Sequence, residues 1–309
     1  MKKLFTGLLV VAMLLTGVVG CSKEQDTASG GGEKYNVYLI TMDQIDQHWV
    51  NMNAGCEKAV AELGNIDYTW LAPDAKDDAK QIECINNAIA GGANAMLIAV
   101  NGPDAVTSVL KEAENEGIKI IYVDSPANFP AEQTLATDNK AAGTTAAEQM
   151  MKAFEAAGIA SGSIGIVSPN AATVTNVSRE EGFREFFEGS DFTLMETQYS
   201  EGDAAKSQDI ALNFITQGCI GLYGTNEGCS IGVGNAIAEH GDGVIGVGFD
   251  KSDAILEQVK NGHLLCTMAQ NPDIMGYEGM KTAVNVLQGN EVSEKNVDTG
   301  VSVVTADDV

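Results

Sequence analysis

Basic side chains are scarce in this sequence of 309 residues. Lys and Arg together number 18 against 43 Asp and Glu, a formal net charge of −25. That deficit excludes a nucleic-acid partner, because such binding rests on Lys and Arg neutralising phosphates. It also excludes adhesion to an anionic membrane by charge alone. Aromatics make up only 6%, and there are three His. No C-x-x-C occurs, no His stands at metal-ligand spacing, and no calcium-loop pattern is present, so no metal site is expected. Walker A is missing, and no G-x-G-x-x-G opens a helix, so no cofactor is expected. What is present is ordinary: 44% of residues are apolar, enough for a folded core rather than a disordered chain. The length suggests roughly two domains.

The one long apolar run is at the start. Lys2 and Lys3 precede Leu4 to Val19, a stretch interrupted by Thr6, Gly7, Thr16 and Gly17. It is too short and too broken for a membrane span and suits the apolar region of a secretory signal. It ends in Val18-Val19-Gly20-Cys21, which resembles a bacterial lipobox. The resemblance implies cleavage after residue 20 and lipidation of Cys21. The chain would then be extracytoplasmic and anchored to the cell membrane, since two acyl chains suffice for stable anchoring. Cleavage removes two lysines, leaving 16 basic against 43 acidic side chains. Residues 22–33, SKEQDTASGGGE, read as a flexible tether.

With Cys21 lipidated, five cysteines remain, an odd number that argues against a disulfide framework. Cys56, Cys84, Cys219 and Cys266 lie in apolar stretches and read as small core residues, with a Cys219–Cys229 bridge left open.

From Tyr35 onward, apolar β-branched runs alternate with helical periodicity. Strands are expected over 35–41, 68–72, 95–100 and 118–123, and helices over 49–63, 74–90 and 104–116. A second series follows. Its helices are expected over 138–157, 173–187 and 273–287, and its strands over 163–167, 192–198, 219–223, 244–249, 264–269 and 301–304. This β-α alternation with short connections predicts two similar doubly wound parallel-sheet lobes. In such sheets ligands bind beyond the C-terminal strand ends. The polar and aromatic residues at those ends are Asp46, His48, Trp49, Asp124, Ser125, Thr173, Thr175, Asn176, Arg179, Asn226, Asp250 and Gln270. Any one of them could cap a helix or fill a core. Their recurrence at one edge is not something core packing requires.

Several segments in order carry a resemblance: Asp46-Gln47-His48-Trp49, Val123-Asp124, Thr137-Asp138-Asn139, Arg179-Glu-Glu-Gly-Phe183, Thr225-Asn226-Glu227, Val247-Gly-Phe-Asp250 and Met268-Ala-Gln270-Asn-Pro. With these the chain resembles the type I periplasmic binding proteins of the ribose/galactose-binding class, from about Tyr35 to Val304. The resemblance implies an α/β fold of two lobes joined by a three-strand hinge near Thr137, Gln270 and Asp298. One lobe would comprise 34–137 plus 271–298, the other 138–270 plus 299–309. It implies a monomeric receptor that closes around a sugar or polyol and delivers it to ABC permease subunits, without catalysis. Asp46, His48, Trp49, Asp124, Arg179, Asn226, Asp250 and Gln270 would line the cleft. An aromatic plane covers the apolar face of a sugar, and charged partners strengthen the bonds to its hydroxyl rim.

Three positions depart from the family's pattern. Asp46 stands where Asn is usual, His48 where an aromatic is usual, and Gly202 occupies the stretch in which another aromatic is expected. Asp46, Asp124 and Asp250 against Arg179 give the pocket a formal charge of about −2. That disfavours sugar acids and admits a neutral sugar, a polyol or an amino sugar. Two alternatives remain: a ligand-sensing lipoprotein serving a receptor kinase or chemoreceptor, and a serine hydrolase. The hydrolase reading rests on Gly228-Cys-Ser230-Ile-Gly232, which matches G-x-S-x-G, with Asp250 and His263 following in triad order.

Overall fold

A computed structural model describes residues 34–309 apart from Asp242. The expected signal segment, the lipidated Cys21 and the tether lie outside the described residues. The chain runs β1 (Tyr35–Ile40), α1 (Gln47–Leu63), β2 (Ile66–Leu71), α2 (Asp78–Ala90), β3 (Ala95–Ile98), α3 (Thr107–Asn115), β4 (Lys119–Val123) and β5 (Gln133–Ala136). It continues through α4 (Asn139–Ala156), β6 (Gly162–Ser168), α5 (Val174–Phe187), β7 (Phe192–Leu194), β8 (Gln198–Tyr199) and α6 (Ala204–Thr216). Then come β9 (Cys219–Gly224), α7 (Glu227–His240), β10 (Ile245–Phe249), α8 (Asp253–Lys260), β11 (Cys266–Gln270), α9 (Pro272–Leu287), β12 (Asn296–Asp298) and β13 (Val301–Thr305).

These strands form two sheets. The first has the order β12-β5-β4-β3-β1-β2 and is parallel throughout. The second has the order β13-β11-β10-β9-β6-β7, parallel except for β13, which runs antiparallel to β11. Both wind in the same sense, with the first strand of each series flanked by the second and the third. The strand order therefore reverses beside β1 in one sheet and beside β6 in the other, and a crevice opens there. Apolar side chains of α1 and α9 cover one face of the first sheet, and those of α2 and α3 the other. In the second sheet α4 and α5 cover one face, with α6, α7 and α8 on the opposite one. Buried strands such as β3, closed in on both faces, explain the continuous apolar runs.

Helix contact through glycine sets the position of α5. A Cβ on Gly143 of α4 would overlap the Arg179 carbonyl of α5, and one on Gly182 would overlap the Lys140 carbonyl. Gly143→Ala is expected to cost about 1–3 kcal/mol by forcing the helices apart. Urea denaturation checks this, and an unchanged midpoint would contradict the packing.

Three differences from the sequence reading stand out. The 192–198 strand is two short pieces, β7 and β8, both paired with β6. Between Leu194 and Gln198 there is one residue more than between their partners Ile164 and Val167, and the extra residue breaks the ladder. The hinge regions near Thr137 and Asp298 each follow a short strand, β5 and β12, that composition did not announce. No bridge joins Cys219 and Cys229: the five described cysteines are free thiols, and Cys84 is only half-buried.

The chain passes between the sheets three times, after β5, after β11 and after β12. These crossings are tied to one another. Thr137 donates from Oγ1 to Gln270 Oε1 at 2.9 Å, the Asp138 amide donates to Asp298 Oδ1 at 3.1 Å, and Asn271 Nδ2 donates to the Thr299 carbonyl at 2.8 Å.

Candidate functional site

The two sheets present equivalent corners to each other. Asp124 follows β4 and Asp250 follows β10, the fourth strands of their series. Both are left-handed, with φ of 66° and 74°. The Asp124 amide donates to the Leu135 carbonyl at 2.8 Å, and the Asp250 amide to the Met268 carbonyl at 2.9 Å. A non-glycine residue held at positive φ costs free energy and persists where the surroundings enforce it. Here the conformation turns both carboxylates out of their sheets toward the crevice.

His48, on the first turn of α1, lies between them. Its Nε2 is 3.0 Å from Asp124 Oδ2 and its Nδ1 3.5 Å from Asp250 Oδ1. The Nε2 contact has ion-pair distance without hydrogen-bond alignment. Burial opposes a charge on this imidazole, but the two carboxylates prevail and raise its pKa above the usual value. The Trp49 ring meets His48 edge-on at 4.7 Å and donates from Nε1 to Asp43 Oδ2 at 3.1 Å. This indole is therefore fixed in place.

Arg179 comes from α5 and is 2% exposed. Its Nε donates to Asn139 Oδ1 at 2.7 Å and its Nη1 to the Thr225 carbonyl at 2.9 Å, and the guanidinium lies 3.7 Å over the Phe249 ring. Among the described residues Nη2 has no hydrogen-bond partner, which leaves that edge for a ligand. Gln270 donates to Asp250 Oδ1 at 2.6 Å while accepting from Thr137, so it links the site to a crossing strand. Asn226 caps α7 by accepting from the Cys229 amide at 3.1 Å, which leaves its Nδ2 free to donate.

All eight positions expected from sequence surround one cavity, with Met42, Lys76, Pro169, Asn170, Thr173, Thr175 and Asn176 completing its wall. Little of it is free space, about 20 Å³, room for roughly one water, so the walls have to part to admit a ligand. The lining is predominantly polar, with acceptors and donors from both sheets. Such a wall can hold a small polyhydroxylated solute. It has no nucleophile paired to a base. Ser230 sits inside α7, where its hydroxyl donates to the Phe249 carbonyl at 3.0 Å and accepts from the Phe249 amide at 2.7 Å. His263 pairs with Gln258 instead. The G-x-S-x-G match therefore does not form an elbow.

Sequence reasoning missed Lys76, which changes the charge picture. The helix expected from Asp74 starts at Asp78 behind an Asp77 cap, so Lys76 lies on a loop at the strand edge. Its Nζ is 2.6 Å from Asp43 Oδ2 and 2.8 Å from Asp46 Oδ2. Burial and then Asp43 push the Asp46 carboxyl up, although Lys76 pulls the other way; burial opposes the charge on Lys76, but the two carboxylates together outweigh it and raise Lys76 well above the usual lysine range. For Asp43, burial opposes ionisation, but Lys76 and two backbone amides outweigh it and hold the carboxyl low. Asp46 thus reaches the cavity as half of an ion pair. The pocket's uncommitted negative charge is on Asp124 and Asp250, and His48 offsets part of it. Its partner Asp46 is 30 residues away in sequence, so no local signal marked Lys76, and the misplaced helix start concealed it.

A polar cavity closed between two sheets of matching topology is the hallmark of a two-lobed solute-binding protein. The chain belongs to the periplasmic binding protein family: a periplasmic binding protein domain model matches residues 37–291. It is 27% identical over 301 residues to the ribose import binding protein RbsB of Haemophilus influenzae, covering 96% of this chain and 97% of that one. To the D-allose-binding periplasmic protein of Escherichia coli it is 26% identical, over 94% and 92%. Among solved structures, a carbohydrate transporter solute-binding protein from Agrobacterium radiobacter, in complex with D-arabinose, shares 31% identity with a TM-score of 0.84, over 88% of this chain and 94% of that one. An ABC transporter solute-binding protein from Agrobacterium vitis with bound D-fucose shares 28%, TM-score 0.83, over 89% and 99%.

Proposed function

We propose that this chain is the extracytoplasmic substrate-binding component of a sugar ABC importer. It closes its two lobes, 34–137 plus 271–298 and 138–270 plus 299–309, around a monosaccharide or similar polyol and presents the closed form to permease subunits. Asp46, His48, Trp49, Asp124, Arg179, Asn226, Asp250 and Gln270 contact the ligand. One observation carries the reading: all eight line a single cavity to which both sheets contribute. The bound state is favoured because a solute touches both lobes only when they are closed. Cys21 tethers the chain to the membrane through lipid.

A thermal-shift screen of residues 34–309 against D-ribose, D-allose, D-arabinose, D-fucose, polyols and amino sugars tests the reading. A ligand at 100 times its dissociation constant adds ~2.7 kcal/mol of stability, and at least one sugar is expected to raise the melting temperature accordingly. Silence across the whole panel would sink it. Cys21→Ser in the full chain is expected to move the protein from the membrane to the soluble fraction.

A further inference from the structure

Helix α1 lacks a side-chain cap of its own. Its N-cap residue, Asp46, makes no capping hydrogen bond, because its carboxylate is turned to Lys76. Five helices, α2, α4, α6, α7 and α8, are capped by the residue just before them, Asp77, Asp138, Asp203, Asn226 and Ser252, whereas α3, α5 and α9 share with α1 the lack of such a cap. The first amides of a helix need acceptors when buried. For α1 they are found across the cleft: Glu227 Oε1 accepts from the Gln47 amide at 3.0 Å and Oε2 from the His48 amide at 3.1 Å. Glu227 is on α7 of the second sheet and α1 belongs to the first, 180 residues away in sequence. The carboxylate is buried in place. Separating the lobes strips α1 of its cap and returns Glu227 to water.

We propose that Glu227 is a proton-sensitive latch, which makes capture of the sugar depend on capping the first turn of α1 from the opposite lobe. This rests on the two-lobed sugar-receptor reading. Glu227 does not line the cavity; it acts through α1, which carries His48 and Trp49. The charged groups around it are Asp46 and Asp250, with Lys76 and Asp43 beyond Asp46 and His48 beyond Asp250. Burial first, and then repulsion by Asp46, push its carboxyl up to about 7, against the pull of the Gln47 and His48 amides. In the open form the group is solvated and keeps the ordinary glutamate value. A group whose pKa is higher when the lobes are shut takes up a proton on shutting, so closure strengthens as pH falls toward 6. The shift corresponds to about tenfold tighter binding at pH 6 than at pH 8. His48, also raised, acts in the same direction.

The test is calorimetric titration with D-ribose, D-allose, D-arabinose and D-fucose at pH 6 and pH 8. Wild type is expected to bind about tenfold more tightly at pH 6. Glu227→Gln, which keeps an acceptor without a titrating charge, is expected to lose most of that difference. Glu227→Ala removes the titrating group together with the cap, so its affinity is expected to lose most of the pH dependence and to fall below wild type by about tenfold at pH 8 and about 100-fold at pH 6. If Glu227→Gln keeps the full pH dependence, His48 is the titrating group and the latch is overturned. Should none of the four sugars bind, the sugar reading falls, and the latch is decided on sugar-free protein. There, Thr173 donates to the Asn101 carbonyl across the cleft at 2.8 Å, so the rate of disulfide trapping in Asn101→Cys/Thr173→Cys reports the closed population. Slower trapping at pH 8 on adding Glu227→Ala sustains the proposal, and equal rates overturn it.

Discussion

Replacing Lys76 with Met is expected to destabilise the fold by about 3–5 kcal/mol at pH 7, the range found when one partner of a buried ion pair is removed. Lys76 is the only cation within 4 Å of Asp43 and Asp46 among the described residues, and its side chain is 9% exposed. Met fills most of the volume, so the loss measures charge rather than a cavity. Two carboxylates would then face each other without a counterion, with only the Ile45 and Asp46 amides and the Trp49 indole to serve Asp43. The pH dependence should separate the two Asp. In wild type, Asp43 is lowered on folding, so its contribution is present above the unfolded pKa and is lost as pH falls through the folded value. Asp46 is raised, so its ionisation opposes folding at neutral pH and protonation relieves the cost. In Lys76→Met both carboxyls should be raised, so the variant gains stability relative to wild type between pH 7 and pH 5. Urea midpoints across that interval check it. A variant within 1 kcal/mol of wild type at pH 7 would show that the pair is solvated.

The doubly wound alternation was legible because buried parallel strands are apolar on both faces and the helices between them keep a single apolar stripe. Cys56 and Met52 on α1, and Phe183 and Phe187 on α5, mark such stripes. What escaped was short or polar. Gln133–Ala136 becomes a strand between β4 and Asn296–Asp298, and the latter becomes the sheet's edge by pairing with it, a fact of tertiary structure with no local signature. Among the site residues, those directly after strands could be found by position. Asp124 and Asp250 stood out as acids ending β-branched or glycine-rich runs. Lys76 and Glu227 could not be found that way. Lys76 is on a loop that local periodicity assigned to a helix, and Glu227 opens α7 one residue behind a stronger candidate, Asn226. Its role depends on what α1 lacks, and that is visible only when the two sheets are placed together. Gly202 was noted for the aromatic it replaces. In the fold its carbonyl lies where a Cβ on Gly228 would be, so the stretch is packed closely against α7.

Arg179→Ala is expected to abolish sugar binding, with the dissociation constant rising at least 100-fold. A hydrogen bond to a charged group contributes about 1.5–3 kcal/mol, and Arg179 offers its free Nη2 edge to the ligand. The substitution also removes two partners from the wall itself. Asn139 Oδ1 and the Thr225 carbonyl lose their buried donors, and the Phe249 ring loses the cation stacked on it. These losses should lower stability by roughly 2–4 kcal/mol, so binding must be measured below the variant's melting transition. Arg179→Lys separates the effects. It keeps the charge but cannot reach Asn139, Thr225 and a ligand at once, because an ammonium lacks the planar fork. It should retain most of the stability and still lose affinity by tenfold or more. Asp250→Asn provides the matching test on the acceptor side. Asn tolerates positive φ about as well as Asp, so the backbone at 74° is kept while the charge facing His48 and Gln270 is removed. Affinity should fall about tenfold, with little loss of fold stability. If Arg179→Lys binds sugar as wild type does, the guanidinium is a structural cross-brace between α4, β9 and β10, and the ligand's donors must come from other side chains of the wall, such as Asn176 and Asn226.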